Sequence, residues 1–359
     1  MKQKLTIEDI ARIAGVSTAT VSRVLSGSPR VRETTRERVL SVVTQEGYEP
    51  NHVARSLAKQ KSDTVGLVVE DIGNPFFTEA AKQIESALHK AGYSMLLTTS
   101  GWSDEREVEL VRTLVRNRVD GVILSPVSAE STSTYLLQRY GVPFVLLNVH
   151  STNPRICSVC TDDEHGGRLA ARALLNARPE LLVCLQGFPH ETTFSRVRGF
   201  IQEVDRTPSG AERKRVVIDN VRTYDEGYDV VGRLIQYERI QAHRTGLFAT
   251  NDDVAMGVIA ALRDRGVPIP SQVAVVGYDD IPQASRFQIP LTTIGQDIQQ
   301  LATCAARELI ELMKNPSEPS HQHELLPRLV QRASTVYAEL HDWPEDIVAA
   351  STLVPGGRD

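Results

Sequence analysis

From Thr64 onward the sequence alternates short apolar runs with amphipathic stretches, and this alternation constrains the fold more than any other feature. The runs "TVGLVV", "YSMLLTT", "GVILS" and "PFVLLN" are separated by helical patterns such as residues 78–91 and 104–116. Short apolar strands alternating with helices imply parallel βαβ units. A second series follows, "LLVCLQG", "RVVID", "GLFATN" and "VAVVGYDD", again with helical patterns between. Two series predict two doubly wound α/β lobes. Ligands bind outside the carboxyl ends of such strands. In a two-lobed body those ends face each other across a cleft, and closing the cleft is a natural switch.

Composition narrows the class. At 359 residues the chain has room for two or three domains, and 41% apolar residues support packed cores. Its four cysteines, Cys157, Cys160, Cys184 and Cys304, are too scattered for a disulfide framework and point to a reducing compartment. No charged-then-apolar leader opens the sequence and no run of eighteen apolar residues occurs, so a cytoplasmic protein without a membrane segment is expected. There is no G-x-x-x-x-G-K-[ST], G-x-G-x-x-G or G-x-S-x-G, so nothing marks a nucleotide cofactor or a catalytic serine. "CSVC" has C-x-x-C spacing, but it lies in an apparent strand, where residues three apart face opposite ways, and no second Cys/His pair follows. No enzyme activity, cofactor or metal is expected.

Charge is uneven. Residues 1–60 hold ten Lys/Arg and six Asp/Glu, a net of +4, while the remainder holds 30 basic and 39 acidic residues, a net of −9. A basic head on an acidic body suits a chain whose head meets a polyanion.

The head, "LTIEDIARIAGVSTATVSRVL", reads as two helices around a tight turn. Thr6 followed by Asp9 resembles a capping box. Ile7, Ile10, Ala11 and Ala14 then fall on one helical face, Gly15 permits the turn, and Val16 can plug the gap. Ser17 caps a second helix to about residue 26, with Val21, Val24 and Leu25 inward. A third helix, about residues 34–45, packs Val39, Val42 and Val43 against the first two. The second helix turns Thr18, Ala19, Thr20, Ser22 and Arg23 outward, and its short N-terminal side chains allow a close approach to DNA. In a major groove, Arg23 can bond a guanine bidentately and Thr18 and Ala19 can touch a neighbouring base. Ser17, Thr20, Ser22, Arg30 and Thr35 suit phosphates, and Thr6 is counted with these contacts.

The stretches "LTIEDIARIAGVSTATVSRVLSG" and "TRERVLSVVTQEGYEPNHVARSLAKQKSDTVGLVV" resemble the amino-terminal half of the LacI/GalR family of transcription regulators, and the likeness runs to about residue 335. The resemblance implies a helix-turn-helix head (1–49), a hinge helix and linker (50–62), and an effector-binding and dimerising body (63–337) of two type I periplasmic-binding-protein lobes. Chain crossings are expected near Asp162, Pro290 and Leu325. Lobe 1 would then span 63–162 and 291–323, and lobe 2 would span 163–290 and 324–337. By the same likeness, Leu57 is a minor-groove wedge, Ala54 lets paired hinge helices approach, and Arg55 and Lys59 favour the DNA backbone. Asn51 can cap the hinge.

Strand-end residues that the family pattern brings to the cleft are Phe76, Phe77, Ser125 and Asn148 from the first lobe. From the second come His190, Thr192, Arg196, Tyr224, Asn251, Asp252 and Asp279. Aromatic faces with Asn, Asp and Arg suit a polyhydroxy ligand. The tail, 338–359, departs from the leucine heptads of tetrameric members, and Pro344 and Pro355 break any long helix, so a homodimer is expected. The implied function is a repressor on a near-palindromic operator, switched by a small effector such as a sugar, sugar acid or sugar phosphate. A periplasmic-type binding module without DNA regulation is the alternative.

Overall fold

The computed structural model describes residues 5–25, 28–48, 61–126, 128–207, 213–315 and 321–335. It divides into two compact units, Met1–Ser62 and Asp63–Asp359.

In the first unit, α1 (Ile7–Ala14), α2 (Thr18–Leu25) and α3 (Glu33–Glu46) surround a core of Ile10, Ala11, Ala14, Val21, Val24, Val39 and Tyr48. The capping box forms: the Thr6 hydroxyl accepts from the Asp9 backbone N–H, and the Asp9 carboxylate accepts from the Thr6 N–H. Gly15 ends α1 at φ 63°, which costs a glycine nothing. Val16 packs into the gap, and the Ser17 hydroxyl accepts from the Thr20 N–H to start α2. The Pro50 break and the hinge segment with Asn51, Ala54, Arg55, Leu57 and Lys59 lie outside the described residues, as does the tail.

The second unit begins with β1 (Thr64–Val69), α4 (Pro75–Lys90), β2 (Ser94–Thr99), α5 (Asp104–Arg116), β3 (Gly121–Leu124), α6 (Thr132–Tyr140), β4 (Phe144–Leu147) and β5 (Cys157–Thr161). The chain continues through α7 (Asp163–Leu175), β6 (Leu181–Leu185), α8 (Glu191–Arg206), β7 (Lys214–Ile218), α9 (Tyr224–Arg233) and a π turn at Leu234–Glu238. There follow β8 (Thr245–Ala249), α10 (Asp252–Asp264), β9 (Val273–Asp279), α11 (Pro282–Arg286), β10 (Thr292–Gly295), α12 (Ile298–Lys314), β11 (Gln322–Leu325) and β12 (Arg328–Val330). One sheet runs β11-β5-β4-β3-β1-β2, and the other β12-β10-β9-β8-β6-β7. All pairs are parallel except β10 with β12. Both sheets are covered by helices, so β1, β3, β5, β6, β8 and β9 are almost wholly buried. The edge strands β2, β7 and β11 are exceptions, and in β2 Leu96 and Leu97 are exposed.

The crossings differ from the sequence expectation at two points. The expected first-lobe segment 291–323 includes residues 292–295, but β10 pairs with β9 and so belongs to the second lobe. The chain crosses at 296–297, not at Pro290, and β11 remains in the first sheet through Leu325, beyond the expected restart of the second lobe at 324. Pro290 read as a linker residue. It sits just before the strand, where no ladder donor is needed, and its carbonyl accepts from the Ser334 N–H.

Two glycines permit the close crossing of α7 and α8. A Cβ on Gly167 of α7 would run into the Arg196 carbonyl, and one on Gly199 of α8 into the Glu164 carbonyl. The obstacles are backbone atoms, so the helices must separate to admit a methyl. We expect Gly199→Ala to destabilise the protein by about 1–3 kcal/mol, read as a lower midpoint in chemical denaturation. An unchanged midpoint would show that the two helices tolerate separation.

Candidate functional site

The exposed face of α2 carries Thr18, Ala19, Ser22 and Arg23 at its surface, opposite the buried Val21 and Val24. Thr20 is half-buried, and its hydroxyl is 2.9 Å from that of Ser17. Arg30 is exposed, and Thr35 is half-buried near the start of α3. Thr6 is exposed but committed to its capping box. The helix therefore offers a face of small side chains and one long cation.

In the second unit the carboxyl ends of the two sheets meet at a narrow cleft lined by residues of both lobes. Its second-lobe floor is Arg196, which is buried. Arg196 Nε donates to Asp163 Oδ1 at 2.7 Å and Nη1 to the Thr250 carbonyl at 2.7 Å, while Nη1 is 3.7 Å from Asp279 Oδ1. The guanidinium lies 3.7 Å from the centroid of the Tyr278 ring. The Gly167 and Gly199 contacts let α8 approach α7 closely enough for the Asp163 pair. Gln296 Nε2 donates to Asp279 Oδ1 at 2.7 Å, and Thr161 Oγ1 donates to Gln296 Oε1 at 2.6 Å. This chain of bonds joins the second lobe to the end of β5 in the first. Burial pushes the Asp279 carboxyl up to about 7, against the pull of Arg196 and Gln296.

The first-lobe wall includes Glu70, Asn74, Phe76, Phe77 and Asn148. Phe76 and Phe77 are buried edge-to-face, with centroids 5.1 Å apart. Glu70 is 5% exposed, and its Oε2 has no hydrogen-bond partner; neither has Asn148 Oδ1. Burial pushes the Glu70 carboxyl up to about 8, so it holds its proton near neutrality. Trp102, Asn148 and Asp279 all line the cleft at positive φ, 58°, 60° and 118°, and such strain concentrates at functional sites.

His190 and Thr192 line the cleft but are spent on closing it. His190 Nε2–H donates to the Pro126 carbonyl at 2.7 Å, and Nδ1 accepts from the Thr192 N–H at 3.2 Å, which fixes a neutral tautomer. Burial holds this ring below the ordinary imidazole range, against the opposing effect of Pro126. Thr192 Oγ1 donates to the Asn148 carbonyl at 3.0 Å. Both acceptors belong to the first lobe. At the mouth, Trp102 of the first lobe stacks on Phe188 of the second, with centroids 6.4 Å apart, and the Arg222 guanidinium sits 5.4 Å from the Trp102 ring.

Eight expected cleft residues thus line one cavity: Phe76, Phe77, Asn148, His190, Thr192, Arg196, Asn251 and Asp279. Three do not. Ser125 is wholly buried behind the Glu70 carboxyl. Asp252 is also wholly buried and structural, accepting from the Ile281 N–H at 2.9 Å and the Thr293 hydroxyl at 2.6 Å. Tyr224 starts α9 with its ring against the second-lobe core, and Arg222 lines the cleft two residues earlier. Glu70, Asn74, Trp102, Gly187, Phe188, Thr193, Arg222 and Thr250 were missed. The strand-end rule, applied to every strand, reaches Glu70 after β1 and Thr250 after β8.

The native Glu70 carboxyl keeps its proton to about pH 8, whereas an ordinary one releases it near 4.5. Between those values the native state binds more protons than the unfolded state, so this group costs stability increasingly as pH rises. Glutamine has no proton to lose. The melting-temperature advantage of Glu70→Gln over the unsubstituted protein is therefore expected to grow from pH 4.5 to 8 and to level off above 8. A difference independent of pH would place the Glu70 ionisation at its ordinary value.

Comparison with known proteins agrees with this two-unit arrangement. A family model described as bacterial regulatory proteins, lacI family, matches residues 6–51, and a periplasmic binding protein-like domain matches residues 179–335. The chain is 32% identical over 335 residues to catabolite control protein A of Priestia megaterium, covering 92% of this chain and 99% of that one. Its fold superposes on the lac repressor dimer bound to operator and the anti-inducer ONPF with a TM-score of 0.80 at 24% identity, over 93% of this chain and 100% of that one. A LacI family regulator from Enterococcus faecalis V583 with bound ribose superposes with a TM-score of 0.67 at 30% identity, over 77% of this chain and 100% of that one. The head that can enter a groove and the body that can hold a small molecule are thus those of a transcriptional repressor rather than an enzyme, and the chain belongs to the LacI family of bacterial regulatory proteins.

Proposed function

We propose that this regulator reads a near-palindromic operator as a homodimer and is switched by a sugar or sugar derivative held between its lobes. The unpartnered Glu70 and Asn148 oxygens in the cleft carry the ligand assignment. Buried polar atoms cost free energy unless they are paired, and ligand hydroxyls supply partners. The Trp102 and Phe188 rings at the cleft mouth offer apolar surface to a sugar. Arg196 is already balanced by Asp163 and Asp279, and Arg222 by Glu226 at 2.9 Å, so a neutral polyol suits the cleft better than a sugar acid or phosphate. The ribose-bound relative supports the same class. A ligand with different affinity for open and closed lobes shifts operator affinity by that difference. Exposed Ile72, Leu96 and Leu97 on the β2 side of the first lobe suit a dimer contact, because an apolar edge strand needs cover. The protein would act in the cytoplasm, where operator DNA resides.

In this reading Arg23, Thr18 and Ala19 read bases, while Thr6, Ser17, Thr20, Ser22, Arg30 and Thr35 position the head on phosphates. Asn51, Ala54, Arg55 and Leu57 serve the hinge. Arg23→Ala is expected to cost about 1–3 kcal/mol of operator binding and to relax preference at one base pair, measured by fluorescence anisotropy at fixed salt. A uniform loss on all sequences would make Arg23 a phosphate contact instead. The effector class is tested by melting temperature against neutral sugars, sugar acids, sugar phosphates and purines, since a binder of the folded state raises the midpoint. A rise with a neutral sugar supports the assignment, and a rise confined to purines overturns it.

A further inference from the structure

Away from the cleft, the first lobe gathers donor atoms of three kinds at its β11 edge. Cys304 and Glu308 are four residues apart on α12 and share one face. His323 lies on β11, and His321 immediately precedes that strand on the same side. The Cys304 sulfur, a Glu308 oxygen and a His323 nitrogen all lie within 4.8 Å of one another. His321 Nδ1 is 3.1 Å from Glu308 Oε2. His323 Nε2 is 3.2 Å from Glu308 Oε1, yet this buried nitrogen has no hydrogen-bond partner. The pair is close but not aligned for a hydrogen bond, which leaves the nitrogen lone pair open to another partner. Cys157, on the adjacent β5, is close enough for Glu308 and Cys304 to influence its thiol.

We propose that Cys304, Glu308, His323 and His321 form a binding site for a zinc-like divalent cation. Thiolate, imidazole and carboxylate are the donors a borderline cation selects, whereas magnesium and calcium prefer an all-oxygen shell. Four ligands around zinc sit about 3.5 Å apart for bond lengths near 2.0–2.3 Å, so the three donors within 4.8 Å need only side-chain adjustment, and His321, 3.1 Å from Glu308, stands beside them as the fourth. Binding forms the metal–sulfur bond and releases the Cys304 thiol proton to solvent. Arg307 Nη2 now lies 3.4 Å from the Cys304 sulfur and 3.2 Å from Glu308 Oε1. Its side chain is 65% exposed and can turn away as the cation takes over charge balance. A second grouping, His150, Cys160 and Glu324, has two exposed members and no unpartnered buried nitrogen among the described residues, so it carries no such assignment.

The test is titration of chelator-treated full-length protein with Zn²⁺ by calorimetry and with Co²⁺ by absorption spectroscopy. One saturable equivalent is expected, with a thiolate-to-cobalt charge-transfer band. Cys304→Ser should abolish the band, and His323→Ala should weaken Zn²⁺ at least about tenfold. Absence of saturable binding, or binding and a band unchanged in both variants, overturns the site. Should Cys304→Ser fail to fold, the half-exposed His323→Gln decides by affinity alone: tenfold loss supports the site and no loss refutes it.

Discussion

A guanidinium taken out of water must be paired on nearly every side, and in this protein that requirement organises the effector lobe. Moving a lone charge into a protein interior costs several kcal/mol. Arg196 avoids this cost with Asp163 at the start of α7, Asp279 at the end of β9, the Thr250 carbonyl after β8 and the face of Tyr278. The partners come from α7, β9 and the loop after β8, so with its own helix α8 the charge holds four segments in register at the cleft floor. The close α7–α8 packing at Gly167 and Gly199 is a geometric condition for the Asp163 pair.

From that centre the bonds continue to the lobe boundary. Asp279 is held by Gln296, which lies in the second crossing, and Gln296 is held by Thr161, which ends the strand before the first crossing. The cleft edge is closed separately by His190 to Pro126, Thr192 to Asn148, and Trp102 against Phe188. Opening the lobes would break these edge contacts. A ligand that engages Glu70 and Asn148 on one side and the second-lobe wall on the other would favour the closed form. In the proposed reading, ligand contacts are weighed against these few interlobe bonds.

Much of the architecture was legible because it rests on local chemistry. The capping box at Thr6 and Asp9, the turn at Gly15 and the cap at Ser17 depend on neighbours in sequence. Parallel sheets bury their strands on both faces, so β1, β3, β6 and β8 stand out as apolar runs. The site was legible where a polar residue ends such a strand, as at Asn148 and Asp279. It was not legible at Trp102, Phe188 and Arg222, which lie on loops. Asp252 has the same sequence signature as Asp279, yet its carboxylate ties α10 to the loop after β9 and to β10.

The sequence by itself determined the basic head, its three helices, the two series of strands and the small-residue face of α2, because each follows from spacing and residue type over a few positions. Tertiary structure alone decided to which lobe residues 292–295 belong, since strand partners are far apart in sequence. It also decided that His190 spends its ring nitrogens on lobe contacts, that one buried Glu70 oxygen has no partner, and that Cys304, Glu308 and His323 converge. These properties depend on what a side chain meets across space, and residues separated by tens or hundreds of positions leave no local pattern to read.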